Sequence, residues 1–484
     1  MRVRARYAPS PTGFFHVGGA RTALFNYLYA KHMGGDFILR IEDTDTERNV
    51  EGGIESQINN LEWMGIKIDE SVKNPGKFGP YQQTQKLKRY QELAYKLLEE
   101  GKAYRCFCTK EELDANRQSA MSGGQTPKYN RHCLYLTKEE IQAKLDAKVP
   151  FTIRLKIEDN KNYSWNDMIR GNVSVPASAL TDPVILKSNG IPMYNFGVVV
   201  DDHDMQITHV LRGEEHISNT PYQIAIKNAL GWGNNQIEYG HLSVIVNESG
   251  KKLSKRDKTL KQFIQDYQDM GFIPEAIVNF LALLGWAPSS NKEIMTMDEM
   301  IKDFEIKKVS KAPTFFDFKK MLWVGNKYFI AMDEQKYLQF VDKFIKVDFG
   351  QFANRKNDIL LLFKKQISYA QELNDHITNT FLKPMDDSKE FRMKFISDTW
   401  QKTICAFSQC ISKANDTISF DDAKALIDKA KELSGNKGQD LFMPIRLAIT
   451  GVEHGPELNK IISILGKQLI KSRLSKVILY KSGK

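Results

Sequence analysis

The chain has 484 residues, in which 69 lysines and arginines outnumber 59 aspartates and glutamates, giving a formal net charge of +10. This length predicts three or four folding units, and the basic surface either favours a polyanionic partner or merely keeps the chain in solution. No apolar run approaches the ~20 residues that cross a bilayer, and the N-terminus lacks a signal-peptide core, so we expect a cytosolic protein without a membrane span.

The first predicted elements form a βαβ unit. A strand-like segment at 4–7 runs into turn residues at 8–13, and apolar residues at helical spacing follow over about 18–29. A glycine pair then precedes a strand at 36–41. Strand, turn, helix, turn and strand in this order predict a parallel sheet.

The stretch from about 88 to 190 breaks this rhythm and is interpreted as an insertion between two halves of the sheet domain. It contains a predicted helix over 87–100 and predicted strands around 151–157 and 183–186. The βα rhythm resumes with the sequence Val-Val-Val-Asp-Asp at 198–202 and with the segment that ends at Arg212.

After residue 258 the chain is predicted to be helical, with little strand signal beyond about 330. An α/β N-terminal half followed by a helical C-terminal half indicates that the N-terminal half carries out the chemistry and the C-terminal half recognises the partner. The windows with helical periodicity are 273–284, 334–344, 359–372, 421–432 and 456–466.

Two short motifs carry residue types suited to a nucleotide. His16, Gly18 and Gly19 follow a strand and open a helix, whose unpaired N–H groups and positive end attract phosphate. Lys252 and Lys255, on a glycine-flanked loop, can neutralise the triphosphate of ATP as pyrophosphate leaves. Each motif alone is weak, because a lone histidine is more often a helix cap and a basic string more often a solvated loop.

Together, more than 230 residues apart, these motifs resemble the paired HIGH and KMSKS signatures of class I aminoacyl-tRNA synthetases. The first lacks the final histidine, and the second has leucine for methionine and arginine for the last serine, which is usual among glutamyl enzymes. Further stretches resemble bacterial glutamyl-tRNA synthetases, in the same order, at 6–13, 23–27, 39–45, 79–83, 198–203 and 211–216.

The resemblance implies an α/β N-terminal half, with a Rossmann-type parallel sheet and an inserted acceptor-binding domain, followed by an all-α C-terminal half. It also implies five segments. These are the first half of the catalytic domain (1–87), the inserted acceptor-stem-binding domain (88–190), the second catalytic half with the Lys-Leu-Ser-Lys-Arg loop (191–258), a helical stem-contact domain (259–328) and an α-helical anticodon-binding domain (329–484).

The implied activity is ATP-dependent ligation of L-glutamate to tRNA(Glu) through glutamyl-adenylate, with release of AMP and pyrophosphate and with Mg²⁺ on the phosphates. Carboxylates call for the planar fork of arginine, and an ammonium calls for an acid. The matched positions imply that Arg212 meets the γ-carboxylate and Glu42 the ammonium. The implied glutamate set is Arg6, Ala8, Ser10, Glu42, Tyr194 and Arg212, and the implied ATP set is His16, Gly18, Gly19, Glu215, His216, Lys252 and Lys255, of which His16, Lys252 and Lys255 are catalytic.

The inserted segment carries a candidate zinc site. Cys106 and Cys108 form a tight thiol pair, and four such ligands close a structural tetrahedral site. The pair resembles the zinc site of some family members, where Tyr129 and Cys133 match the remaining ligands. His132 is an alternative fourth donor, and two thiols without metal near a surface loop are the other interpretation. In the helical region, Cys405 and Cys410 are predicted to be small core residues.

Discriminating family members carry an arginine that reads the third anticodon base, and the matching position here is Gln366. Losing that guanidinium relaxes specificity, so we expect tRNA(Gln) to be glutamylated as well. The resemblance implies a monomer. The alternatives from other classes are a plain nucleotidylyltransferase and a tRNA-binding module without catalysis, although His16, Lys252 and Lys255 are all present.

Overall fold

A computed structural model describes residues 2–124, 126–233, 237–253, 261–386 and 388–478. The chain divides into two compact units. The first unit is Met1–Asp266 with Ile277–Asp317, and the second is Tyr267–Ala276 with Phe318–Lys484. Among the described helices, none has the length and apolar character needed to span a membrane.

The front part of the chain alternates strands and helices. Its elements, in chain order, are β1 (Arg4–Tyr7), α1 (Val17–His32), β2 (Asp36–Leu39), α2 (Gly53–Trp63), α3 (Leu87–Glu99), β3 (Ala103–Cys106), α4 (Lys110–Ser122), α5 (Lys138–Asp146), β4 (Thr152–Leu155), β5 (Asn162–Asp167), β6 (Gly171–Pro176), β7 (Val184–Leu186), α6 (Tyr194–Asp204), β8 (His209–Gly213), α7 (Thr220–Ala229), β9 (Glu238–Leu242) and β10 (Ile245–Val246).

Helices dominate the remainder of the chain. Its elements are α8 (Ile264–Met270), α9 (Pro274–Leu283), α10 (Met297–Asp303), β11 (Thr314–Phe315), α11 (Phe318–Ala331), α12 (Glu334–Val341), α13 (Lys356–Leu362), α14 (Glu372–Ile377), α15 (Lys389–Met393), α16 (Asp398–Lys413), α17 (Phe420–Ser434), α18 (Gln439–Thr450) and α19 (Leu458–Ile478).

The main sheet is parallel, in the order β2-β1-β8-β9. Its strands are buried on both faces, as in sheets covered by helices, and Ala5, Phe37 and Ile38 have no exposed surface. The chain leaves β1 toward β2 on one side, and β8 joins on the other, so β1 and β8 form a switch point whose carboxyl ends open a crevice. The predicted parallel sheet is therefore confirmed.

The valines at 198–200 lie inside the helix α6. The strand that follows in the predicted alternation of strands and helices is β8. A run of β-branched residues is ambiguous between a buried strand and a buried helix, and here the segment forms a helix packed against α7.

The strands of the segment 88–190 pair in antiparallel fashion, in a sheet with the order β3-β4-β7 and in a β5–β6 hairpin. The predicted helix and two strands of this segment correspond to α3, β4 and β7.

The helical back half is confirmed, since no strand follows Phe315 within the described residues. The helix expected over 359–372 is wrong for residues 363–371, because α13 ends at Leu362 and α14 begins only at Glu372. The Asn326 amide donates to the carbonyls of Lys365 and Ile367, which removes them from a helical ladder. The Glu372 carboxylate also accepts the N–H groups of residues 368 and 369.

The two cysteines of α16 differ in environment. Cys410 is buried, as predicted for a small core residue, whereas Cys405 is exposed and the prediction for it is wrong. Five residues correspond to 500° of rotation around a helix at 100° per residue, so the two side chains point in different directions.

Candidate active site and metal cluster

A cavity of about 440 Å³ opens at the carboxyl ends of β1 and β8. Ligands of open parallel sheets bind at such a switch point. Ser10 is exposed and is not among the lining residues, and Lys255 lies outside the described residues. The predicted site residues that line the cavity are Arg6, Ala8, His16, Gly18, Gly19, Glu42, Tyr194, Arg212, Glu215, His216 and Lys252.

His16 is the N-cap of α1, and its Nδ1 accepts the backbone N–H of Gly19 at 3.2 Å. Since Nδ1 accepts, the proton of the neutral ring lies on Nε2, which is then a donor. A Cβ added at Gly19 would lie 2.5 Å from the Tyr7 hydroxyl, so any larger residue there would have to displace the Tyr7 side chain. The first turn of α1 thus presents the positive end of the helix and an imidazole donor to an anion.

Arg212 is a buried guanidinium whose partners are neutral. Its Nε donates to His241 Nε2 at 3.1 Å, and its Nη2 donates to the Thr220 hydroxyl at 2.8 Å. Its Nη1 is buried and has no hydrogen-bond partner among the described residues. Burial lowers the pKa of Arg212, since the charged form is desolvated. An uncompensated buried cation of this kind favours an incoming anion.

Arg40, by contrast, is fully compensated by acids. It donates to Asp202 at 2.6 Å and to Glu42 at 2.9 Å, and Asp201 lies 3.7 Å away. Arg6 donates to the same Asp202 carboxylate through Nε and Nη2, both at 3.2 Å. Burial alone would raise the pKa of Asp202, but Arg40 and Arg6 outweigh it and hold that pKa at about 2. Arg6 is therefore partly committed to Asp202, whereas Arg212 is not committed to any carboxylate of the described chain.

Other residues that line the cavity are more exposed. Lys252 pairs with β10 through a bridge to Val246, and its ammonium lies 3.5 Å from Glu215. Tyr194 hydrogen-bonds to His216 Nδ1 at 3.3 Å and remains 38% exposed. Burial and the charge of Arg212 lower the pKa of His216 to about 4, so this ring is neutral at pH 7.

Sequence reasoning did not assign roles to several charged residues of this site. Arg21 lines the cavity and donates to the carbonyls of Ser243 and Leu284. Arg40 stands between two apolar residues of a buried strand end, and His241 occupies a similar position in β9. A charged or imidazole group within an apolar strand signals pairing or function, and that signal was present in the sequence.

The three predicted cysteine ligands converge. The sulfur atoms of Cys106, Cys108 and Cys133 all lie within 4.8 Å of one another, with Cys108 and Cys133 separated by 3.5 Å. The Tyr129 hydroxyl lies 3.4 Å from Cys106 and 3.6 Å from Cys108. His132, the alternative donor, is exposed and is not part of this group. Tetrahedral bonds of about 2.3 Å require sulfur atoms roughly 3.8 Å apart, so the cluster could hold a metal ion.

The second unit contains a separate cavity of about 670 Å³. Gln366 lines it together with Lys364 and Lys365. Arg446 also lines it, donating from Nη2 to the Pro456 carbonyl at 2.7 Å. Its buried Nη1 has no partner among the described residues. The lining thus combines lysines and one arginine, whose Nη1 is unsatisfied within the described part of the chain, with the acids Glu334, Asp358 and Glu457.

Residues 2–323 match the family described as tRNA synthetases class I (E and Q), catalytic domain, and residues 329–478 match an anticodon binding domain. The chain is 55% identical over 471 residues to the glutamate–tRNA ligase of Malacoplasma penetrans, covering 97% of this chain and 96% of that one. The chain belongs to the glutamate–tRNA ligase family. The resemblance drawn from the motifs is thereby confirmed, and a plain nucleotidylyltransferase does not account for the second match.

Other members of the family agree over the full length. The glutamate–tRNA ligase of Ureaplasma parvum is 51% identical over 486 residues, with 99% of both chains covered. The crystal structure of a glutamate tRNA ligase from Elizabethkingia meningosepticum in complex with its amino acid has a TM-score of 0.87 at 35% identity, with 99% of each chain covered. The predicted α/β front half and helical back half are therefore those of this enzyme family.

Proposed function

We propose that this chain ligates L-glutamate to tRNA(Glu) in an ATP-dependent reaction that proceeds through glutamyl-adenylate and releases AMP and pyrophosphate. The observation that carries the proposal is the juxtaposition of two features in one cavity. Arg212 is a buried cation that contacts no carboxylate among the described residues. The N-terminus of α1, with its His16 donor, is built for phosphate.

Arg212 is proposed to bind the γ-carboxylate of glutamate, since its unpartnered Nη1 can complete a charge-assisted pair. A neutral amide would leave that guanidinium underpaired, which disfavours glutamine. Glu42 is proposed to bind the ammonium, and burial raises the pKa of Glu42 although Arg40 and Arg6 act to lower it. Arg6 would bind glutamate through the part of its guanidinium that does not donate to Asp202. Ala8 and Tyr194, which line the cavity, complete the proposed glutamate set, whereas Ser10, predicted with them, does not line it.

The chemistry requires no protein nucleophile. The α-carboxylate oxygen of glutamate attacks the α-phosphorus of ATP, and the bond to the bridging oxygen breaks to release pyrophosphate. His16, Lys252 and Lys255 are proposed to stabilise the developing phosphate charge, with Gly18, Gly19, Glu215 and His216 positioning ATP. Bound Mg²⁺ supplies further neutralisation of the phosphates. A terminal ribose hydroxyl of tRNA then attacks the mixed anhydride and displaces AMP.

The test is charging of a tRNA(Glu) transcript with radiolabelled L-glutamate and ATP. The expected result is acid-precipitable label that depends on ATP, and pyrophosphate in equal amount. L-Glutamine in place of glutamate is the control, and we expect it not to be charged. A chain that forms no glutamyl-tRNA from a transcript competent with a known family member would overturn the proposal.

The remaining segments are proposed to contact the tRNA. The insertion at 88–190 would bind the acceptor stem, 259–328 would contact the stem, and 329–484 would bind the anticodon, while 1–87 and 191–258 form the catalytic halves. The cavity of the second unit supports the anticodon assignment, since the unpartnered Arg446 Nη1 and the neighbouring lysines suit an unstacked base and its phosphate.

We further propose that the enzyme accepts tRNA(Gln). Gln366 lies on the cavity wall, where an amide would reject the third anticodon base less strongly than a guanidinium. Gln366→Arg should lower kcat/KM for tRNA(Gln) relative to tRNA(Glu) by about 10- to 100-fold, the discrimination of one bidentate base contact. Charging of both transcripts by the two enzymes measures this ratio.

The matched control for this ratio is Lys365→Arg, which places an arginine on the same loop without changing its charge. It should leave the ratio within about twofold. If the wild-type chain already rejects tRNA(Gln), or if both variants shift the ratio equally, the assignment of Gln366 is wrong.

The thiol cluster is proposed to hold structural Zn²⁺ through Cys106, Cys108, Cys133 and Tyr129. The Arg154 guanidinium lies 4.0 Å from the centre of the Tyr129 ring, a position that offsets the negative charge of four anionic ligands. Cys108→Ser should lower the zinc content from about one ion per chain to near zero and lower Tm. Metal analysis and thermal unfolding measure both.

Cys405→Ser, which removes an exposed thiol elsewhere, is the matched control and should retain full zinc content. Equal zinc in the Cys108 and Cys405 variants would contradict the assignment.

We also propose that the enzyme acts as a monomer in the cytoplasm, where glutamate, ATP and tRNA are present together.

A further inference from the structure

We infer that Asp167 and His241 position Arg212 for recognition of the γ-carboxylate, an inference that rests on the proposed function. The three side chains form a buried line from β5 through β9 to β8. Asp167 Oδ2 lies 2.5 Å from His241 Nδ1, and His241 Nε2 lies 3.1 Å from Arg212 Nε. Asp167 and His241 are 2% and 0% exposed. Only Arg212 lines the cavity, so the other two act through it.

The proton positions along this line are dictated by its two ends. An arginine Nε–H can only donate, so His241 Nε2 must be the acceptor and the ring proton must be on Nδ1. Asp167 accepts that proton through Oδ2. Its other oxygen, Oδ1, accepts the backbone N–H groups of residues 169, 170 and 241. The carboxylate is therefore fixed, and it selects the tautomer that can hold Arg212.

The charge states agree with this geometry. Burial would raise the pKa of Asp167, but hydrogen bonds from His241 and from the Arg170 backbone outweigh it and hold that pKa at about 2. Burial lowers the pKa of His241, and the hydrogen bond to Asp167 opposes this while Arg212 lowers the pKa further. At pH 7 the line thus consists of a carboxylate, a neutral ring and a guanidinium.

The consequence is that the Arg212 guanidinium is held in one orientation while no carboxylate in this line contacts it and neutralises its charge. A carboxylate in direct contact would occupy the guanidinium, as Asp202 occupies Arg6. A neutral imidazole instead fixes the Nε edge and leaves Nη1 for the ligand. Thr220 completes the support by accepting from Nη2 at 2.8 Å. His241 and Asp167 are therefore positioning residues that set the affinity for a substrate carboxylate.

The test uses variants that mimic one ring nitrogen each. In His241→Gln the side-chain oxygen reaches about where Nε2 lies, so it can still accept from Arg212. In His241→Asn the amide reaches only the Nδ1 position, so it contacts Asp167 but not Arg212. We expect KM for glutamate to rise about tenfold or more in His241→Asn, and by less than about threefold in His241→Gln. KM for ATP should stay within about twofold in both.

Asp167→Asn tests the tautomer. Three backbone N–H groups require an oxygen at the Oδ1 position, so the amide N–H₂ must face His241 Nδ1 and donate to it. The ring proton then moves to Nε2, against Arg212 Nε–H. We expect a rise in KM for glutamate at least as large as in His241→Asn. In the His241→Gln background the same change should add little, because glutamine has no tautomer.

Charging assays on full-length enzyme, with Tm of each variant, give the readouts. His241→Gln as damaging as His241→Asn, at equal Tm, would overturn the inference, and so would Asp167→Asn or His241→Asn with unchanged KM for glutamate. If His241→Asn does not fold, the comparison of Asp167→Asn with the Asp167→Asn/His241→Gln pair decides. Failure of the wild-type enzyme to charge tRNA(Glu) would refute the proposed function instead.

Discussion

Arg212→Gln should lower kcat/KM for glutamate by about 10³-fold, with KM for ATP nearly unchanged. A substrate carboxylate buried in the cavity would lose a guanidinium that no carboxylate of the described chain neutralises. Leaving one partner of a buried charge pair unpaired costs about 4 kcal/mol, and each 1.4 kcal/mol is about tenfold. Steady-state charging kinetics with varied glutamate, at saturating ATP and tRNA, measure the effect.

Two comparisons separate recognition from folding. Arg212→Lys keeps the charge but not the planar fork, so it should recover only a small part of the activity. Arg212→Gln should unfold at the same temperature as wild type or higher, because the guanidinium is buried without a carboxylate partner and costs stability in the free enzyme. A loss of less than tenfold, or a parallel fall in Tm, would count against substrate recognition by Arg212.

His16→Ala should lower kcat by about 10²- to 10³-fold, the effect of removing one donor that stabilises transition-state charge. The imidazole lines the cavity from the first turn of α1, and its Nδ1 accepts the Gly19 N–H, so the proton of the neutral ring is on Nε2. Glutamate-dependent release of pyrophosphate in the presence of tRNA measures the step directly.

The control for His16 is a residue that caps the helix without reaching the phosphates. Asparagine is a good N-cap, so His16→Asn should restore the stability that alanine loses, about 1 kcal/mol. It should not restore kcat, because its short amide does not extend to the position of Nε2. If His16→Asn recovers activity together with stability, the role of His16 is to cap α1 and not to contact phosphate.

Local patterns in the sequence predicted the parallel strands and the helical second half. They succeeded because period-2 and period-3.6 apolar spacing, and the turn residues between them, express local backbone preferences. They failed where side chains distant in sequence compete for the backbone. The Asn326 amide donates to backbone carbonyls that a continuous helix through residue 366 would need. Nothing in the sequence near residue 366 indicates these hydrogen bonds.

The sequence by itself determined the enzyme family, and it singled out the motif at the start of α1 and the three cysteines that converge in the structure, because each lies in a short ordered pattern. Only the tertiary structure decided which of two arginines is paired with a carboxylate among the described residues. Arg6 and Arg212 are equivalent as residue types, yet Asp202 pairs with the first and neutral His241 holds the second. Those partners lie 196 and 29 residues away along the chain. The free energy of a buried charge depends on its neighbours in space, and sequence patterns do not encode those neighbours.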